Sequence, residues 1–221
     1  MEREKMMMLF GIILVIVGII GILLPVGTIL NLHRVEEYLV LIDSSDTWPY
    51  DPDNMLVYEY LHALFLRQFL EVAPISALLV SIGLVGVWIR YRNHIAIVGI
   101  GVFLLNAQQT SFALGAFQER PYPIPLEYWA QMISPINNAF LSMLTAYLIL
   151  GIVIMVTRTS KGKMFERSVV IMGIIVSALS ALSIASFFII DNDRWITQSV
   201  GPILAMTGLV AFILVYFSVP S

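Results

Sequence analysis

The chain has 221 residues, 59% of them hydrophobic and only 12% charged, with a mean hydropathy of +0.88 and a formal net charge of −3. Soluble domains of this size are about half apolar and about a quarter charged, so the shortage of charge points to lipid as the solvent. So small a net charge, with the basic residues gathered at the ends of apolar runs, gives no support to a nucleic-acid partner. The absence of cysteine excludes disulfides, thiolate nucleophiles, Cys-ligated zinc and iron–sulfur clusters.

A membrane-spanning helix needs roughly 20 apolar residues. By that measure the sequence predicts six spans, at about 6–30, 74–90, 94–117, 136–157, 168–190 and 195–217. The first is too long for the core of a signal peptide and no small-residue cleavage site follows it, so it is expected to be a retained span. Its Gly11, Gly18 and Gly21 would let a second helix come close.

Between the first and second spans lies an acidic cap, about 31–73, carrying Glu36, Glu37, Asp43, Asp46, Asp51, Asp53, Glu59 and Glu71 against Arg34 and Arg67. Its middle, from Asp46 to Asn54, is rich in turn formers, and prolines after Trp48 and Asp51 resist helix. From Leu56 to Leu70 the apolar residues return at helical spacing, with Leu61, Leu64, Phe65 and Phe69 on one face. An interfacial helix running into the second span is therefore expected, with Pro74 permitting a bend. The segment from Gln118 to Trp129 has prolines at 121, 123 and 125, which favour a stiff extended arm, and aromatic residues fit for the headgroup level. The third outer connection, from Asp191 to Trp195, is short enough for a tight turn.

Arg3, Lys5, Arg90, Arg92, Arg158, Lys161, Lys163 and Arg167 fall on one side of this arrangement, and Arg34, Arg67, Arg120 and Arg194 on the other. Eight basic residues against four place both termini in the cytoplasm by the positive-inside rule. The expected fold is an all-α integral membrane protein of the cell membrane, a six-transmembrane-helix bundle in one domain over 1–221, with an acidic extracytoplasmic loop. Six spans with both ends inside resemble, in layout alone, the substrate-binding subunits of small-vitamin uptake systems.

Within the third span, Asn106, Gln108, Gln109, Thr110 and Ser111 put five hydrogen-bonding side chains into six residues of an apolar run. Such groups are costly in hydrocarbon unless other helices or water satisfy them. Asn106, Gln109 and Thr110 share one helical face, and Gln108 and Ser111 another. Asn138, at the start of the fourth span, and Gln198, near the start of the sixth, fall at a similar outer level. These residues form a candidate ligand-binding set for a small neutral polar solute; the plainer reading is hydrogen-bonded helix packing. In the fifth span Gly173, Ser177, Ala181 and Ala185 recur every four residues, the spacing at which small side chains let another backbone approach, so they are the candidate contact with a partner membrane subunit.

Signs of catalysis are few. Asp51, Asp53 and Glu59 fit three positions of a calcium loop, but its glycine and closing glutamate are missing, so no metal or cofactor is expected. His33, His62 and His94 follow no metal-binding spacing. No nucleotide, hydrolase or zincin motif is present, and no carboxylate lies deep in a span. The sequence thus favours a non-catalytic subunit or scaffold of a membrane complex. A binding or transport component with an amide-lined outer cavity is the alternative. A membrane enzyme using the outer histidines and carboxylates is the third.

Overall fold

The computed structural model describes residues 2–43, 55–118, 126–157, 163–189, 210 and 213–215, with side chains over 3–24, 69–116, 134–157, 164, 166–185, 210 and 213–215. The described residues are almost all helical. They form α1 (Glu2–Asp43), α2 (Met55–Tyr91), α3 (Ile95–Gln118), α4 (Leu126–Val156) and α5 (Lys163–Ile189). Each contains a stretch long and apolar enough to cross a membrane, making five such helices among the described residues. These helices suggest a membrane location and fit a multi-pass membrane protein. Most of the predicted sixth span lies outside the described residues, as do the acidic turn at 44–54, the proline arm at 119–125 and the turn at 191–195.

Three helices run further than the apolar runs that predicted them. The first span was expected to end near 30, yet α1 continues to Asp43. The fourth was expected from 136, yet α4 begins at Leu126, and α5 begins at Lys163 rather than near 168. A hydropathy run stops where the apolar residues stop, whereas a helix continues through polar residues of adequate helix propensity. Neither proline nor glycine occurs from Thr28 to Asp43, and Leu126 directly follows Pro125. The interfacial helix and the second span are one element, α2, with Pro74 inside it.

Packing follows chain order: α1 on α2, α2 on α3, α3 on α4, and α4 on α5. Because lipid is as apolar as leucine, burying leucine against leucine adds little to such contacts; close van der Waals approach and hydrogen bonds decide them. Glycine supplies the approach. A Cβ on Gly86 of α2 would lie 2.5 Å from the Gly11 carbonyl oxygen of α1. One on Gly151 of α4 would lie 2.7 Å from the Gly173 carbonyl oxygen of α5. Further along the α1–α2 contact the Ser76 hydroxyl donates to the Gly21 carbonyl at 2.6 Å. Between these crossings Val15, Ile22, Val80, Leu84, Leu144, Leu150 and Val153 are fully enclosed and make up much of the common core.

The short connection between α2 and α3 is held by its own chemistry. Arg92 takes a left-handed backbone, φ 53°, which reverses the chain. Asn93 then caps α3: its Oδ1 accepts from the Ile95 amide at 3.0 Å, satisfying one of the amides that a helix start leaves free. Its Nδ2 donates to the Val153 carbonyl at 3.0 Å and to the Thr157 hydroxyl at 3.1 Å, tying the corner to the end of α4. Nearby, the Tyr91 hydroxyl donates to the Val215 carbonyl. The start of α1, this corner, the end of α4 and the start of α5 therefore share one end of the bundle, and with them Arg3, Lys5, Arg90, Arg92 and Arg167.

Candidate functional site

The polar run of the third span sits in the half of α3 away from the basic end, and the helix divides it. Asn106 and Thr110 are both buried, at 4% and 1% exposure, and Asn106 faces α4. Asn106 Nδ2 donates to the Ser142 hydroxyl at 2.9 Å and, more weakly, to the Ala139 carbonyl at 3.4 Å. Ser142 in turn donates to the Ala139 carbonyl one turn back, at 2.8 Å. Thr110 donates to the carbonyls of Asn106 and Ala107 in its own helix, at 2.8 and 3.1 Å. This back-bonding satisfies a hydroxyl in hydrocarbon without any second helix.

The surroundings of this network are small or aromatic. Ala107 and Ala139 are buried and leave room for the amide to cross between the helices. One turn toward the basic end, Phe103 meets Tyr147 edge-on, ring centres 6.0 Å apart. Toward the opposite end Phe69 of α2 stacks on Phe140 of α4 at 5.7 Å. Aromatic contacts of both geometries add attraction beyond the area they cover. The first pair links α3 to α4, and the second links α2 to α4.

The other predicted site residues are placed elsewhere. Gln108 and Ser111 are exposed on the opposite side of α3, Gln109 is half-buried, and Asn138 is exposed on α4. Gln198 lies outside the described residues. The structure therefore brings Asn106 and Thr110 together and leaves Gln108 on a different surface. Of the candidate partner stripe on α5, Gly173 and Ser177 meet α4 of the same chain: Ser177 donates to the Leu148 carbonyl at 3.4 Å, close to the Gly151–Gly173 crossing. Ala181 and Ala185 are exposed.

Two contributors escape a hydropathy reading. Asn93 is a single polar residue between two apolar runs, and a helix-capping signature (Asn just before an apolar periodic run) is the signal that finds it. Ser142 has no such signal, because a lone serine in a span reads as neutral. Among the described residues no three His, Asp or Glu side chains stand together as metal ligands. His94 is exposed at the basic end; the side chains of His33 and His62 lie outside the described residues. No protein-family model, curated protein or solved structure matches the chain.

Proposed function

We propose that this chain is a non-catalytic membrane subunit or scaffold, with its termini in the cytoplasm and its role exercised through helix contacts. The observation that carries this reading is the Asn106–Ser142–Ala139 network. Among the described residues, the amide side chain placed deepest in a span is used to join α3 to α4, with Thr110 satisfied inside α3. A solute site needs polar groups converging on one open space. Here Gln108 and Asn106 project from different sides of the same helix. The eight-to-four split of basic residues, five of the eight gathered at one end of the bundle, supports the cytoplasmic placement of that end.

Single cysteines test the reading, because the native chain has none to interfere. Asn106→Cys and Thr110→Cys in intact membranes are expected to resist a membrane-impermeant thiol reagent applied from either side. Rapid labelling at position 106 or 110 in a folded protein, slowed by a polar solute, would instead establish a wet binding cavity. The transport reading would then replace this one.

A further inference from the structure

We infer that α3 is the self-association helix of this protein, and that a second copy of the chain covers its exposed face with Gln108 at the centre of the contact. The inference deepens the scaffold reading, and rests on it, by naming the partner. Ile97, Val98, Gly101, Leu104, Leu105, Gln108, Ser111 and Phe112 are all exposed and recur at intervals of three and four residues. They make one stripe along the side of α3 turned away from Asn106.

Most of this stripe suits lipid, but Gln108 does not. By helical rise it lies about 20 Å from the Ile95 end and about 12 Å from Ala116, too deep for a headgroup to reach. Among the described residues it is the one exposed polar side chain two turns or more inside a span. The exposed faces of α1 and α5 at comparable depth carry isoleucine, leucine and alanine instead. An amide facing hydrocarbon has both its donors and its acceptor unsatisfied. Only another protein surface offering both at that depth relieves the cost.

The spacing indicates which surface. Gly101, Gln108 and Gly115 are seven residues apart, and the place where a Cβ would stand on either glycine has no neighbouring atom within 4 Å. A glycine-flanked polar residue in a heptad seam allows close backbone approach on both sides of a hydrogen bond. A second copy inserts in the same orientation, so its α3 runs parallel to the first. In a parallel two-fold seam a heptad position meets its own counterpart at the same depth. Carboxamide then faces carboxamide, each donating an N–H to the other's oxygen. The stripe carries no charge, so an oppositely charged partner has nothing to recognise.

The full-length chain in lipid vesicles tests this. Gln108→Cys is expected to form a disulfide-linked dimer under mild oxidation, whereas Ile174→Cys, on the exposed face of α5, is not. Gln108→Leu should weaken dimerisation by about threefold to twentyfold, the range that membrane hydrogen bonds support. Gly101→Leu should abolish it while the chain remains folded. A chain that stays monomeric as protein concentration in the membrane rises would overturn the inference. So would crosslinking through α5 alone, or an unchanged dimer in Gln108→Leu. A dry Asn106 in a monomeric protein sinks this inference and spares the scaffold reading; a wet Asn106 in a Gln108-dependent dimer does the reverse.

Discussion

Single polar side chains carry much of the specificity in this molecule, since apolar burial distinguishes poorly between protein and lipid. Asn93 has two separable jobs: its oxygen caps α3 and its nitrogen holds the end of α4. Asn93→Ala removes both and should destabilise the folded protein by about 1–2 kcal/mol, the loss of a cap plus interhelical bonds. Asn93→Asp keeps the acceptor toward the Ile95 amide but cannot donate to the Val153 carbonyl, so it should fall between the two. Thermal unfolding in detergent checks the order: native above Asp above Ala. An aspartate variant no better than alanine would show that the cap contributes nothing.

At the scale of elements the α1–α2 and α4–α5 contacts each turn on a glycine facing backbone. A Cβ at Gly151 would collide with the Gly173 carbonyl and the Ser177 backbone nitrogen, neither able to retreat without moving α5. Gly151→Leu should therefore separate α4 from α5 and cost about 1–3 kcal/mol, as overpacking does. Gly101→Ala, facing open space, should leave stability unchanged or slightly raised, since alanine favours helix more than glycine. Comparing the two melting temperatures tests the helix contacts directly. Much at this scale was readable from composition alone: the five described apolar helices, the continuous α2 and the value of Gly11 and Gly21 as contact points. Helix ends were not, because hydropathy marks the end of the apolar run and α1 and α4 continue beyond it. Gly151 was not singled out either. A glycine in a span reads the same whether it faces another helix or lipid.

For the whole molecule, the described helices pack as a series in chain order, and α3 stands between α2 and α4 with one side left outward. Helical periodicity separates Asn106 and Thr110 from Gln108 and Ser111 without reference to structure. What it does not decide is which of the two faces meets α4. In a soluble protein the polar face is the wet one; in a span, a polar face can be the one that packs, and the usual contrast of sides carries no sign. Asn106 lies in the α3–α4 seam and Gln108 lies outside it. Paired cysteines in this cysteine-free chain test it most directly. Asn106→Cys with Ser142→Cys is expected to be bridged within one chain by mercury or mild oxidation, and Gln108→Cys with Ser142→Cys is not. Bridging of 108 to 142, with none between 106 and 142 in a folded protein, would mean that the opposite face of α3 packs on α4.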